Sequence, residues 1–563
     1  MANNTGSPET WKIAQTWFQD CLDNHQKCRR GVGVDHQRRL PSRLLDLSKE
    51  TPSTIRLQNT EDLPEFTQYT TLSHCWGSSK LITLTSDSEA GLRQGIEIST
   101  LSRTFQEAVE VSRKLGVWYL WIDSICIFQD SRADWEKESA MMGEVYRNSA
   151  CNIGATGSFN SDGGLFHDRN PGDILPLSFE TNWSPETNIQ GWGSDRFELN
   201  DNYTIFEKDF WNKELSSAPL LSRGWVVQER LLCSRMLHFG TRQILWECLE
   251  LDASEVYPNG RPDQDLAKHN LSDSSTYKPL KPLVDSNSIA DKPPESIPWY
   301  HFGVWKKVIY LSAASNLTKS SDKLVALSGV AKSMLVPQDQ YLAGLWKTHI
   351  FGFLFWKVPD GRQSNGERSK RITPYVAPTW SWASLDAVID YGFYSLYAIF
   401  IKIIETHVEL ASSDPTGQVL SGFLRLTGPL FSLRIPDPVR VSSDIDGVDL
   451  KTMREFDANY VWGYYDQEEG QSIFLNDDTM KASLKPDIPF DHDSKDLFFL
   501  ATEFGWSFRM EGMILTHSDK GDGSFIRIGY LAINAADSKR RWTYEYEDAW
   551  PKLEPLVKEI VLI

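Results

Sequence analysis

Between residues 65 and 156 the apolar positions alternate between strand spacing and helix spacing. Tyr69–Ser73 is a short β-prone run. Thr104-Phe-Gln-Glu107 has the spacing of a capping box, and Phe105, Ala108, Val109 and Ser112 follow at helical intervals, which predicts a helix ended by Gly116. Val117–Ile122 is an unbroken apolar run that stops at Asp123, the pattern of a strand buried on both faces of a parallel sheet. Ser131-Arg-Ala-Asp134 is a second capping signal, opening a helix with Trp135, Glu138, Met142 and Val145 on one stripe, and Ala150–Ala155 reads as a third strand. Strand, helix, strand, helix, strand predicts a parallel sheet with right-handed crossovers. In such sheets ligands bind beyond the carboxyl ends of the strands. That rule singles out Ser73-His-Cys-Trp-Gly77 and Asp123-Ser124.

Outside this block the pattern is looser. Residues 10–30 read as a short helix, and residues 215–250 as a helix followed by a strand. From about residue 375 onward strands and turns dominate, for example Gly422–Leu433 and Phe525–Leu531; in the second, Ile526 and Ile528 alternate with Arg527 and Gly529. Gly157–Asn202 reads as a long surface insertion, Pro258–Pro298 as a linker or exposed excursion, and Pro359–Lys370, Asp437–Asp457 and Asp466–Asp493 as polar or acidic loops. No repeat period is present, which excludes a solenoid or propeller.

Composition narrows the function classes. Lys plus Arg total 58 against 76 Asp plus Glu, a net charge of −18 over 563 residues with no basic run, so a nucleic-acid partner is not expected. Hydrophobic residues make up 40 %, which excludes a disordered chain. The polar N-terminus lacks the features of a signal peptide, and the most apolar stretches, Leu396–Ile404 and Ile350–Val358, are too short to span a membrane. Seven widely spread Cys fit reduced thiols, so the expectation is a cytoplasmic protein with no membrane span. The 21 Trp are read mainly as core.

Several constellations are candidates for chemistry. In Ser222-Arg-Gly-Trp-Val-Val-Gln-Glu-Arg230, Trp225 and Glu229 stand one helical turn apart. An indole stacks on a heteroaromatic ring, while a carboxylate holds ribose hydroxyls and stabilises an oxocarbenium-like transition state. The competing interpretation is a core helix with Glu229 paired to Arg223 or Arg230. Glu138 is read as a helix-face acid paired with Lys137 or Arg147. Cys21, His25 and Cys28 at i, i+4 and i+7 are read as one packing face of a helix. Zinc prefers four ligands, His36 is only a loose fourth, and Cys-x6-Cys is not a finger spacing, so no metal is assigned. Ser73, His74 and Cys75 do not make a nucleophile with its base, because neighbours on an extended chain point to opposite faces. No P-loop, G-x-G-x-x-G, G-x-S-x-G or H-E-x-x-H occurs.

Taken jointly, Tyr69-Thr-Thr-Leu-Ser-His-Cys-Trp-Gly77, Leu101-Ser-Arg-Thr-Phe105, Leu115-Gly-Val-Trp-Tyr-Leu-Trp-Ile-Asp-Ser-Ile-Cys-Ile127 with Gln129, Asp134-Trp135, Met142 with Tyr146, and Arg223-Gly-Trp-Val-Val-Gln-Glu-Arg-Leu-Leu232 resemble the fungal heterokaryon-incompatibility (HET) domain proteins. Trp17 with Cys21, His25 and Cys28 resembles the family's N-terminal segment. Asp322-Lys-Leu324, Tyr341–Trp346 and Ala377-Pro-Thr-Trp-Ser-Trp382 resemble its downstream segments. Two positions depart: His74 stands where the family usually has Tyr, and Phe128 replaces a polar residue before Gln129.

The resemblance implies a cell-death or self/non-self recognition protein of a filamentous fungus. It further implies a distant kinship with TIR domains, some of which hydrolyse NAD with a Glu four residues after a Trp. The expected architecture is a TIR-like α/β core, a parallel sheet flanked by helices, with helical flanking segments and a β-rich C-terminal region. The expected divisions are 1–60, a HET domain over 61–250 with the insertion 157–202, a mixed region 251–385 and a β-rich region 386–563. On this reading NAD is a substrate and no cofactor is required. Glu229 is the catalytic carboxylate, and Ser73, His74, Trp76, Gly77, Asp123, Arg223 and Trp225 line the ligand site. The rival reading is a non-catalytic module that docks a partner protein or self-associates to trigger a separate death effector.

Overall fold

A computed structural model describes residues 1–29, 39–48, 52–78, 81–183, 199–205, 210–215, 217–260, 297–337, 339–359, 367–391, 398–433, 463–465, 472–474, 480–488, 497–505, 509–535 and 556–563. The interior of the expected linker, the acidic stretch Asp437–Asp457, most of Asp466–Asp493 and most of the Pro359–Lys370 loop lie outside these residues. The chain divides into two compact units, Met1–Pro282 and Leu283–Ile563.

The first unit contains, in chain order, α1 (Pro8–Asn24), α2 (Gln26–Arg29), β1 (Arg43–Asp46), β2 (Thr54–Asn59), β3 (Thr70–Ser73), α3 (Glu89–Gln94), β4 (Ile96–Glu97), α4 (Arg103–Lys114), β5 (Tyr119–Trp121), α5 (Asp123–Cys126), α6 (Arg132–Asn148), β6 (Cys151–Gly154), β7 (Leu177–Trp183), β8 (Leu199–Ile205), α7 (Phe210–Leu215), α8 (Gly224–Leu232), β9 (Arg235–Phe239), β10 (Ile244–Cys248) and β11 (Asp252–Ser254). Nine strands form one sheet in the order β11-β10-β9-β6-β3-β5-β1-β2-β4. Its centre is parallel, with β3 paired to β5 and to β6, and β6 to β9. The flanking pairs are antiparallel. The three strands expected from the apolar runs are therefore parallel neighbours.

Because β3 lies between β5 and β6, the chain steps first to one side of β3 and then to the other. With right-handed crossovers this places α4 and α6 on opposite faces. The reversal point lies at the carboxyl ends of β3 and β6, where doubly wound sheets bind ligands. β3 (Thr-Thr-Leu-Ser) and β6 (Cys-Asn-Ile-Gly) are buried throughout, so their hydroxyls and the Asn152 amide must find partners inside the fold.

Two local expectations are corrected. The Thr104–Glu107 capping box does not form; α4 starts at Arg103 with Ser102 as its N-cap residue. Glu107 instead accepts from the backbone N–H groups of Leu165 and Phe166 (2.9 Å for the second), and Thr104 Oγ1 accepts from Gly164 N at 3.1 Å. The box residues thus hold down the start of the expected surface insertion, in which Ser161 and Leu165 are fully buried. Farther along, the insertion carries the antiparallel pair β7–β8.

The second unit contains α9 (Ile297–Ala313), α10 (Ser328–Met334), β12 (Tyr341–Leu342), β13 (Leu345–Trp346), α11 (Ile350–Leu354), β14 (Trp356–Lys357), β15 (Lys370–Arg371), β16 (Leu385–Asp386) and β17 (Asp390–Tyr391). A large sheet follows: β18 (Ala398–Ile399), β19 (Lys402–Leu410), β20 (Val419–Leu433), β21 (Gly463–Tyr465), β22 (Ser472–Phe474), β23 (Met480–Pro486), β24 (Leu497–Gly505), β25 (Arg509–His517), β26 (Phe525–Ala535) and β27 (Val557–Leu562). Strand β20 pairs with both β24 and β27, so β20-β24-β25-β26-β27 closes into a barrel-like ring, to which β18, β19, β21–β22 and β23 add as side strands. Met480–Pro486, expected within an acidic loop, is a strand on β26. The alternation in β26 does not put Arg527 outside: it is fully buried, 2.9 Å from Asp487, and donates to Leu354 O at 2.7 Å.

Trp380 and Trp382 are buried core, as are Trp305, Trp346 and Trp356. Trp305 and Trp382 both donate to Gly344 O, at 2.8 and 3.0 Å, in a β12–β13 turn where Ala343 and Gly344 have positive φ. Among the described residues no helix is long and apolar enough to cross a membrane.

Candidate functional site

Alternation along β3 sends Ser73 and Thr71 to one face of the sheet and Thr70 and His74 to the other. On the second face Thr70 Oγ1 meets Ser112 of α4 at 2.8 Å, and the His74 ring meets Phe105 edge-on at 5.0 Å. On the first face lie α6 and α8. Ser73 donates a short hydrogen bond to Glu229 Oε2 of α8. Asn152 of β6 donates to Ser73 Oγ at 2.9 Å, and Thr71 donates to Asn152 Oδ1 at 3.1 Å. The Tyr146 hydroxyl of α6 lies within hydrogen-bonding reach of Glu229 and Ser73. Residues from two strands and two helices thus meet at the reversal point of the sheet. This separation by face also keeps His74 from acting as the base of Ser73.

Glu229 is 4 % exposed. Burial pushes its carboxyl up to about 7, against the opposing pull of the Arg223 charge and the Ser73 and Tyr146 hydroxyls, while Asp123 raises it further. A carboxyl near neutrality, bonded by hydroxyls, changes charge readily when a cation arrives beside it. His74 goes the other way: burial lowers it to about 4, with Asp123 opposing and Arg223 assisting. Its Nδ1 lies 3.9 Å from Asp123 Oδ1, too weak a pull to offset burial.

The remaining predicted residues lie just beyond the carboxyl ends of β3 and β5 or at the start of α8. Trp76 Nε1 donates to Asp123 Oδ2 at 3.0 Å, joining the ends of β3 and β5. Arg223, at the start of α8, donates to His74 O rather than ion-pairing with Glu229. Arg230, the other expected partner, is taken by Glu247 at 2.6 Å. Gly77 has φ +64, and a Cβ there would come within 2.3 Å of Asn160 Cβ, so this turn needs glycine. Trp225 is half-buried against the core of the unit. Glu138 lies apart on α6, 1 % exposed and 3.7 Å from Lys137.

Sequence reasoning left Asn152 and Tyr146 out of the site. Asn152 carried a usable signal, since it is the single amide inside the apolar run Ala150–Ala155. Tyr146 was indistinguishable from core by pattern. Cys21, His25 and Cys28 do not share one helical face: α1 stops at Asn24, His25 is extended, and α2 begins at Gln26.

Residues 69–229 match the family model described as Heterokaryon incompatibility protein (HET), a span that begins one residue before β3 and ends on Glu229. No curated protein and no solved structure was found to match the chain.

Proposed function

Because residues 69–229 are a heterokaryon incompatibility (HET) domain, we propose that the chain acts in fungal cell death on self/non-self recognition by cleaving the nicotinamide–ribose bond of NAD at the β3–β6 reversal point. The observation that carries this reading is the meeting of Glu229 with Ser73, Asn152 and Tyr146 at the sheet's reversal point. There the carboxylate holds ribose hydroxyls and offsets the positive charge that develops on the sugar. The C1′–N1 bond breaks with its electron pair going to the ring nitrogen, so nicotinamide leaves neutral. Water then adds at C1′ and releases a proton, leaving ADP-ribose. Trp76 or Trp225 serves as the stacking surface, and Arg223 meets phosphate. The TIR-like kinship implied by the motifs supports the same chemistry, as does the i, i+4 spacing of Trp225 and Glu229.

One observation favours a second reading. Glu229 is so little exposed that it also suits the polar anchor of a non-catalytic module that self-associates or docks a partner to trigger a separate effector. NAD loss and ADP-ribose formation by the purified full chain, at rising concentration to permit assembly, separate the two. On the catalytic reading the wild type consumes NAD and Glu229→Ala does so at least about 100-fold more slowly, the scale for losing one transition-state-stabilising group. Equal rates in both proteins, or no turnover at any concentration, leave the docking module.

A further inference from the structure

We propose that Cys21, His25, Cys28 and Cys248 form a structural zinc site that fastens the N-terminal helices to the β10–β11 edge of the sheet. Their three Sγ atoms and one imidazole nitrogen all lie within 4.8 Å of one another. Cys248 Sγ and His25 Nδ1 are 3.3 Å apart. Zinc–sulfur and zinc–nitrogen bonds of about 2.3 and 2.0–2.1 Å in a tetrahedron need ligand atoms roughly 3.5–3.8 Å apart, so small side-chain rotations seat the ion. Three thiolates and one imidazole are the donors of a structural Cys₃His site. Four protein ligands, with the three sulfurs buried, leave no open position for a substrate.

The surroundings fit a bound cation with thiolate ligands. Asp20 Oδ2 lies 3.6 Å from His25 Nε2 while Nδ1 faces the Cys248 sulfur, so a small shift would complete the carboxylate–histidine–metal arrangement. Leu251 N donates to Cys248 Sγ at 3.1 Å, and Arg235 Nε lies 3.1 Å from Cys21 Sγ. Three thiolates and one Zn²⁺ sum to −1, which the buried Arg235 guanidinium neutralises. The backbone break between α1 and α2 at His25 lets Cys21, His25 and Cys28 converge, which a continuous helix would not do as well. Cys248 is 248 − 21 = 227 positions beyond Cys21, so the ion closes a long loop and ties the two ends of this unit together.

The test does not depend on NAD chemistry. The full chain, produced with added zinc and desalted, is expected to carry one zinc per chain by mass-spectrometric metal analysis. Thiol modification should release it stoichiometrically to a colorimetric chelator, and zinc removal should lower Tm by several degrees. Cobalt exchange is expected to give the intense visible bands and sulfur-to-metal charge transfer of tetrahedral thiolate coordination. Cys248→Ser should lose the metal, while Cys233→Ala, outside the cluster, should keep it. A wild type that binds no zinc after loading overturns the proposal, as does weak octahedral-type cobalt absorption or full zinc content in Cys248→Ser. The wild-type cobalt spectrum stands even if Cys248→Ser fails to fold.

Discussion

Replacing Glu229 with Gln is expected to stabilise the protein above neutral pH while removing its proposed activity. Burial holds the Glu229 carboxyl at about 7, above the ordinary value of 4.5, so between those pH values the folded chain binds more protons here than the unfolded chain. Stability therefore falls as pH rises through that window. A gap of 7 − 4.5 = 2.5 units, at about 1.4 kcal/mol each, corresponds to roughly 3 kcal/mol once both states are ionised. Gln cannot ionise, and its amide oxygen can still accept from Ser73. Urea unfolding at pH 4 should find the two proteins nearly equal, whereas at pH 8 Glu229→Gln should be more stable by about 3 kcal/mol. His74 titrates in the opposite sense, since its lowered value of about 4 costs stability as pH drops below 6.5. That loss is common to both proteins and cancels in their difference. NAD cleavage by the wild type should rise with pH through about 7 as the carboxylate forms, with no such rise in the variant. A stability difference that does not change with pH would show that Glu229 is ionised in the fold throughout. A polar group kept at a cost to folding is what a ligand site requires and a mere core anchor does not.

What could be read from sequence follows the range of the forces involved. Strand β5 was legible because Val117–Ile122 is an unbroken apolar run, β3 and β6 because short β-prone segments precede and follow helical patterns, and their parallel pairing followed from the helices between them. The rule for strand ends then led to Ser73 and Asp123, and helical spacing to Glu229, without any view of how they meet. The Thr104–Glu107 pattern misled because a capping box and a loop tether use the same residue types; the distant backbone of Leu165 and Phe166 outcompeted the local N–H groups. Arg527 broke the outward-polar rule because two carbonyls and Asp487 satisfy its guanidinium inside the second unit. Cys248 was invisible as a partner of Cys21, since nothing in local spacing reports where β10 returns against α1. These three misses are long-range contacts, where identity and position in the chain carry no periodic signal.

Glu247→Ala is expected to destabilise the first unit by about 3–5 kcal/mol, the range for removing one member of a buried ion pair. Burial alone would push Glu247 up, but the Arg230 charge and hydrogen bonds, helped by His238, hold it well below the ordinary carboxylate range. Arg230 Nε lies 2.6 Å from Glu247, His238 Nε2 3.1 Å from the same oxygen, and His238 Nδ1 2.9 Å from Thr156. The alanine leaves a buried guanidinium without its carboxylate. Glu247→Gln should cost less, and Arg230→Met with Glu247→Leu should recover much of the loss, because apolar packing can replace a buried pair. Hydrogen exchange of the β9–β10 amides, read beside urea midpoints, locates the effect. A Glu247→Ala cost below about 1 kcal/mol, the level of an exposed pair, would remove this triad as an anchor. The consequence for function follows from chain position. Arg230 is the residue after Glu229 on α8, so the Arg230–Glu247 tie sets the rotation of that helix and aims Glu229 at Ser73. Loss of the tie should therefore lower NAD cleavage beyond the fraction of unfolded chain, and Arg230→Met with Glu247→Leu should restore stability more fully than activity.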